Sequence, residues 1–466
     1  MRDFYTAENV ARAVNGALVA GAAATPFTAI GTDTRTLPPG ACFFALKGPN
    51  FDGALFLAAA VARGAAGLVV GPDATDAPPG PAVIRVADPL YALGELARWT
   101  LAEAGLPVLA VTGSTGKTTT KEMLYAILEA RRPGRILHSE GNFNNLIGLP
   151  LTVFNLTRAH EVALLEMGMN MRGEIRRLAE IANPRLGVVT NVSAVHLENL
   201  KTIAAVAEAK AELLENFGAD RIAVLNADDP RVAQMGDGRP FRRVFFSSDP
   251  QSAADVKALA IWPKGFEGID VDFTVAGRRL SVALATFGRH NVSNALAAAA
   301  AAYAFGEPDD AIVRGLEAFR PAAMRSRVLN IFGVIVIDDT YNANPRSMDA
   351  ALSALDELAG DGRKIAVLGD MFELGPETES AHRRLGRHAA KIGLDRLFLL
   401  GEQTAFVAAG AREEKMDDAR IVIAADHAAV AAELRETSRR GDVILVKGSR
   451  GMRMERLVRA LKGETL

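Results

Sequence analysis

Apolar and polar positions along this chain fall into three successive rhythms. Over residues 1–87, short apolar runs at 42–46, 67–70 and 82–86 surround one helical stretch, 54–63, and predict a small α/β unit. A Pro- and Gly-rich stretch at 72–81, the composition of a surface loop, places a boundary near Asp88. Residues 88–321 alternate strand and helix, with apolar runs at 108–111, 162–166, 187–191 and 222–226 and helices starting at Lys117 and spanning 203–216. Uninterrupted apolar runs of this length suit parallel strands covered on both faces. Residues 269–285 alternate instead and contain a Gly277-Arg278 turn, which predicts an antiparallel hairpin attached to that sheet, followed by an Ala-rich helix at 292–304. After Arg320-Pro321, residues 322–466 place strands at 333–337, 364–368, 396–400, 420–423 and 443–446, the rhythm of a doubly wound, Rossmann-like sheet. The expected fold class is α/β in three domains, 1–87, 88–321 and 322–466.

Composition narrows the function classes. A length of 466 residues at 49% hydrophobic content suffices for several cores. With 53 basic and 55 acidic residues and a net charge of −2, nothing favours a general polyanion partner such as nucleic acid, and any nucleotide contact must be local. Cys42 is the single cysteine and residues 1–10 lack the basic and apolar blocks of a secretory signal, so a reducing cytoplasm is expected. The Ala-rich run 295–302 falls well short of the roughly 20 apolar residues needed to span a bilayer, so no membrane segment is expected.

The most specific chemistry lies at residues 112–120, Thr-Gly-Ser-Thr-Gly-Lys-Thr-Thr-Thr, between a buried strand and a helix. The amides of a helix's first turn have no partner within the helix and attract phosphate. Gly113 and Gly116 permit tight turns, Lys117 supplies a cation to the β and γ phosphates, and the Thr118 hydroxyl suits magnesium; Ser114, Thr115 and Thr119 complete the loop. The longer form of the motif would place a glycine at 111, where this chain has Val111.

Other candidates carry two readings each. Glu166 ends a strand, where open α/β sheets collect ligands, and is either a magnesium ligand or a solvated carboxylate. His196 follows a strand and reads as a ligand or a structural histidine; Lys210, in a helix, reads by composition as a solvent-facing charge. Asn142, Asn144 and Asn145 crowd a glycine-flanked loop, as turn chemistry or as a recognition loop. Residues 338–345, Asp-Asp-Thr-Tyr-Asn-Ala-Asn-Pro, lie between strand and helix and serve either a ligand or a helix cap, and residues 447–450, Lys-Gly-Ser-Arg, occupy a similar place.

Taken together, the loop at 112–119, Asn-Phe-Asn-Asn-Leu-Ile-Gly-Leu-Pro at 142–150, Glu-Met-Gly-Met-Asn at 166–170 with Gly-Glu-Ile at 173–175, His196, Lys210, His290-Asn291, Tyr-Asn-Ala-Asn-Pro at 341–345 and Gly-Asp-Met-Phe-Glu-Leu-Gly at 369–375 resemble the Mur ligase family over essentially the whole chain. The Asp-Asn-Pro-Arg motif that the diaminopimelate-adding relative uses is absent. The resemblance implies an amino-terminal UDP-sugar domain, a central ATPase and a carboxyl-terminal domain that closes over the site. It implies an ATP-dependent, ADP-forming ligase that joins UDP-N-acetylmuramoyl-tripeptide to D-alanyl-D-alanine through an acyl phosphate; a monomer is expected. Thr32, Asp33, Thr34 and Arg35, Lys47 and Gly48, and Asp52 and Gly53 match its UDP-muramoyl segments; Asn142, Asn144, Asn145, Tyr341, Asn344, Lys447, Ser449 and Arg450 are expected to meet substrate. Glu166 and His196 become Mg2+ ligands beside Thr118, and Lys210 matches a lysine that several relatives carry as a carbamate, which would make it a metal-binding anion. Asn291 and Asn294 match adenine-side residues, Asp339 the ribose-binding carboxylate, and Arg325 the interdomain arginine that reaches ATP phosphates, with residues 321–327 as the hinge. The expected catalytic set is Lys117, His196, Lys210 and Arg325. Two competing readings are a ligase of the same architecture with a different acceptor and a nucleotide-binding module without turnover.

Overall fold

A computed structural model describes residues 5–49, 51–74 and 77–464. The first four residues of the 1–10 stretch, residues 75–76 of the 72–81 loop and the last two of 322–466 lie outside that description. Among the described residues the strands form a five-stranded, a nine-stranded and a six-stranded sheet and a small two-stranded ribbon, and no helix is long and apolar enough to cross a membrane.

The first sheet includes Cys42–Phe44, Gly67–Val70 and Ala82–Arg85 paired in parallel. The helical stretch expected at 54–63 is a 3-10 turn, Gly53–Phe56, leading into a short α-helix, Leu57–Ala62. Asp88 caps the next helix, Pro89–Ala104, by accepting from the amides of Leu90 and Tyr91. Ala92, Leu93 and Leu96 of that helix pack into the first core, whereas Ala97 and Leu101 pack into the second. The helix thereby fastens the amino-terminal unit to the central one.

In the central sheet, Val108–Thr112 lies between Val162–Glu166 and Leu186–Val189, all parallel. Successive side chains of a strand alternate between faces, and the burial follows: Leu109 and Val111 enter one apolar layer, Val108 and Ala110 the other. One layer is covered by Lys117–Glu129 and Arg289–Phe305, whose run of fully buried alanines lies close against the strands. The turn of the expected hairpin sits at Ala276-Gly277 rather than Gly277-Arg278, because Arg278 pairs with Val275 across the ladder. The hairpin joins the sheet through Val256–Pro263, parallel to Arg242–Ser247 and antiparallel to Ile269–Val275. Arg242–Ser247, Val256–Pro263 and Ile136–His138 were not expected from the sequence. Strand 187–191 ends earlier, at Val189, and the helix at 203–216 is α-helical only over Ile203–Ala211, followed by a 3-10 turn, Glu212–Leu214.

The carboxyl-terminal sheet runs Arg327–Ile331, Val334–Asp339, Val443–Lys447, Lys364–Gly369, Arg396–Leu400 and Ile421–Ile423. It is parallel except for the first pair, an edge hairpin the sequence did not announce. The chain moves across this sheet from Val334–Asp339 out to Ile421–Ile423 and then returns to insert Val443–Lys447 between Val334–Asp339 and Lys364–Gly369, a reversal at whose carboxyl end ligand crevices form.

Candidate functional site

The carboxyl ends of the central and carboxyl-terminal sheets face one cavity of about 700 Å3, within the range of small-molecule sites. Residues 114–119 form one wall: Val108–Thr112 leads on to Ile136–His138 on one side of the sheet and the adjacent Leu186–Val189 leads on to Ile222–Asn226 on the other, and ligand crevices open at the carboxyl ends of strands that diverge in this way. Gly113 holds φ +145 and Gly116 holds φ +79. A Cβ would stand 1.9 Å from Thr190 Oγ1 at the first and 2.2 Å from Asn294 Oδ1 at the second, so conformation and space both require glycine. Gly116 starts the helix Lys117–Glu129 without a side-chain cap, which leaves the first-turn amides to an anion.

The loop is held from behind by residues that sequence reasoning missed. Asn191 Oδ1 accepts from the Thr115 amide and hydroxyl at 3.1 and 3.0 Å, and the Thr190 hydroxyl donates to Thr115 O at 2.6 Å. The only available sequence signal was their place at the carboxyl end of the apolar run 187–191, where the strand itself stops at Val189. Lys117 Nζ donates to Gly113 O at 2.8 Å and Ser114 O at 3.3 Å, so it rests on the loop that it serves. Burial lowers the Lys117 pKa; Glu166 opposes that shift and Arg325 adds to it.

Glu166, buried at the end of its strand, accepts from the Thr118 hydroxyl at 2.7 Å and from Asn144 Nδ2 at 2.7 Å. The solvated-carboxylate reading is thereby replaced by a buried, bonded one. Asn145 Oδ1 accepts from the amides of Ile147 and Gly148 just ahead of the helix Gly148–Val153, and Asn142, Asn144 and Asn145 all line the cavity. Lys210 is fully buried, contrary to its solvent-facing reading, because its helix packs under the central sheet. Its Nζ has no hydrogen-bond partner. Burial drives the Lys210 pKa well below 10.5, Lys117 adds to this, and Glu166, Glu174 and Glu212 oppose it. His196, at φ +55, lines the cavity and places Nδ1 2.5 Å from Glu373 Oε2 of the carboxyl-terminal unit. That contact holds the Glu373 carboxyl below its usual range. Among the described residues no group of three or more His, Cys, Asp and Glu side chains is set to hold a metal. The expected ligand set therefore consists of the Thr118–Glu166 pair, a histidine engaged by Glu373 and a buried amine.

On the nucleotide side, Asn294 Nδ2 donates to Asn291 Oδ1 at 3.1 Å, and Asn291 donates to Phe287 O at 2.8 Å. Both asparagines line the cavity, as does His290, whose pKa burial lowers. Across from them Asp339 meets Lys447 Nζ at 2.5 Å and accepts from the Ser326 amide at 2.9 Å. Burial alone would raise the Asp339 pKa, but Lys447 beside it brings it below the usual range. Arg325 lies over the Tyr341 ring, 3.8 Å from its centroid, with Arg450 at 5.9 Å. Asn344 caps Pro345–Ala359 through a reciprocal bond pair with Ser347, so the helix-cap reading holds at that residue even though it also lines the cavity. Ser449 lines it too, while its hydroxyl accepts from the Phe372 amide at 2.9 Å.

Thr32, Asp33, Thr34, Arg35, Lys47, Gly48, Asp52 and Gly53 lie outside this cavity's lining. There Arg35 pairs with Asp33 at 2.6 Å, Lys47 stands 3.5 Å from Asp52, and Asp52 accepts from the Ala54 amide.

Residues 111–302 match the Mur ligase middle domain, and residues 324–450 match the Mur ligase, glutamate ligase domain. The UDP-N-acetylmuramoyl-tripeptide–D-alanyl-D-alanine ligase of Bacillus subtilis is 36% identical over 98% of both chains. The crystal structure of MurF from Acinetobacter baumannii superposes with a TM-score of 0.90 at 31% identity, over 99% of each chain. That of MurF ligase from Thermotoga maritima in complex with ADP gives 0.83 at 28% identity, over 94% of this chain and 97% of that one.

Proposed function

The chain belongs to the Mur ligase family, and from that premise we propose that it uses ATP to join UDP-N-acetylmuramoyl-tripeptide to D-alanyl-D-alanine, an amide ligation in peptidoglycan precursor synthesis. The observation that carries this reading is a single cavity shared by the phosphate loop and by Arg325, Asp339 and Tyr341 of the carboxyl-terminal side. A carboxylate does not acylate an amine in water because oxide is a poor leaving group. The tripeptide carboxylate therefore attacks the γ phosphorus of ATP, releasing ADP and forming an acyl phosphate. The dipeptide amine then attacks the acyl carbon, and the tetrahedral intermediate expels phosphate as the amine loses its proton.

In this reading Lys117 swings from its loop carbonyls to the transferring phosphoryl group, and Arg325 leaves the Tyr341 face to reach it from the other side. Fixed positive charge of this kind is the main protein contribution to phosphoryl transfer. Asn291 and Asn294 would hold the adenine and Asp339, braced by Lys447, the ribose. The remaining loop residues Ser114, Thr115 and Thr119 would bind phosphate through backbone and hydroxyl donors. The paired oxygens of Thr118 and Glu166, with His196 on the same cavity, would hold Mg2+ together with the nucleotide phosphates, whose charge it would neutralise. Lys210 fits a carbamate: a buried amine of lowered pKa retains the lone pair that adds to carbon dioxide, and the product would replace an unpartnered Nζ by an anion. The eight positions from Thr32 to Gly53 would bind the UDP-muramoyl end, and Asn142, Asn144, Asn145, Tyr341, Asn344, Lys447, Ser449 and Arg450 would shape the peptide side.

The acyl phosphate must be kept from water, so the carboxyl-terminal unit closes after ligands bind. Residues 321–327 suit a hinge, because Met324 and Ser326 hold φ of +63 and +50 in a link between the helix ending at Ala318 and the strand starting at Arg327. We place domain limits at 87/88 and 321/322. In this reading the ligase is a monomer, and ATP as cosubstrate suits the cytoplasm. Incubation with ATP, Mg2+, UDP-muramoyl tripeptide and D-alanyl-D-alanine should yield a product heavier by the dipeptide less water, read by mass spectrometry. Lys117→Ala should abolish that product while UDP-peptide binding persists; normal turnover in the variant removes the proposed role.

A further inference from the structure

The contact of Glu373 with His196 joins the carboxyl-terminal unit to the central one at the edge of the cavity. Segment 370–375 is anchored within its own unit at several points. The Asp370 carboxylate accepts from the amides of Glu402 and Gln403 at 2.7 and 3.1 Å, the Met371 amide donates to His382 Nε2 at 3.0 Å, and Leu374 is buried in the core. From that base its tip reaches the short helix Leu197–Leu200, where the Glu198 amide donates to Glu373 O at 3.2 Å. Glu373 itself holds φ +63, a conformation that costs a non-glycine residue about 1–2 kcal/mol. The loop is thus held so that one carboxylate lies against one imidazole nitrogen.

A neutral imidazole has one donor and one acceptor nitrogen, and a carboxylate at Nδ1 selects the tautomer with the proton there. Nε2 then carries the lone pair that a cation requires, and such outer partners orient metal-binding histidines generally. We propose that Glu373 is a positioning residue for the cation site: delivered by the carboxyl-terminal unit, it fixes the tautomer and orientation of His196, so that the site is complete only when that unit is docked on Leu197–Leu200. This rests on the reading of His196 as a cation ligand. Docking and cation retention become linked equilibria, each strengthening the other by the same factor.

The test titrates Mn2+, followed by electron paramagnetic resonance, into the full chain with a non-hydrolysable ATP analogue. Wild type is compared with His196→Ala, Glu373→Ala, Glu373→Gln and the double alanine variant, with nucleotide affinity and thermal unfolding measured in parallel. Glu373→Ala is expected to weaken Mn2+ binding about tenfold to a hundredfold. Glu373→Gln, whose amide oxygen still accepts from Nδ1–H, is expected to recover part of the loss, and Glu373→Ala should add nothing once His196 is alanine. Unchanged Mn2+ affinity in His196→Ala would remove the underlying ligand reading. A loss in His196→Ala alongside unchanged or tighter binding in Glu373→Ala overturns the positioning role alone, as does an undiminished Glu373→Ala effect in the double variant.

Discussion

Replacing Lys210 with methionine should stabilise the fold while removing ligase activity. The side chain is fully buried and its Nζ lacks a hydrogen-bond partner. An unsatisfied buried polar group costs about 1–3 kcal/mol, and methionine fills similar volume without one. In bicarbonate-free buffer at pH 7, Lys210→Met should therefore gain on the order of 1–3 kcal/mol in denaturant unfolding. The gain should depend on pH in a definite direction. Burial depresses the Lys210 pKa below 10.5, so between the depressed value and 10.5 the unfolded chain binds a proton that the folded chain does not. Stability of the wild type consequently rises with pH across that window, and the advantage of methionine shrinks. Added bicarbonate should narrow it further if a carbamate forms, with a carbamate resonance appearing from 13C-bicarbonate in wild type alone. A destabilised Lys210→Met, or a gain that grows towards pH 10, would show that the amine is not held at a cost and would remove the basis for its modification.

Three further outcomes follow from the same geometry. Gly116→Ala places a Cβ 2.2 Å from Asn294 Oδ1 at φ +79, so it should cost about 1–2 kcal/mol in strain and weaken ATP-analogue binding in calorimetry, with UDP-peptide affinity unchanged. Asp339→Asn leaves the Lys447 ammonium, 3% exposed, without its charge partner, and should destabilise the carboxyl-terminal unit by on the order of 3 kcal/mol in urea unfolding. Burial raises the Tyr5 pKa to about 12, opposed by its bond to Thr100. The folded chain then keeps a proton that the unfolded chain releases above pH 10, and stability present below pH 10 is lost as pH rises towards 12. Tyr5→Phe, weakened by about 1 kcal/mol at neutral pH through the lost hydrogen bond, should lack that alkaline decline; parallel curves for the two proteins would contradict it.

What the sequence discloses and what it conceals divide according to the range of the interactions involved. Strands buried on both faces, such as Val108–Thr112 and Val162–Glu166, are uninterrupted apolar runs and can be read directly. Arg242–Ser247 opens with two arginines and Arg327–Ile331 is half-exposed at a sheet edge, so neither displays that signature. The phosphate loop is legible for a similar reason, since glycine, lysine and threonine act there through backbone geometry within a few residues. By contrast, Lys210 looks like an ordinary helical lysine until the sheet above it removes water, and Asn191 becomes the loop's support only through a fold contact 76 residues away. Glu373 is the extreme case: its partner His196 lies 177 residues distant, and the pair exists only while two separately cored units meet. The loop and its supports Thr190 and Asn191 all belong to the central unit, whereas carboxylate support of His196 is conditional on the two units meeting. On the proposed reading, such a ligase would hold nucleotide while open and complete its cation site on closure, when a water-sensitive acyl phosphate must be protected.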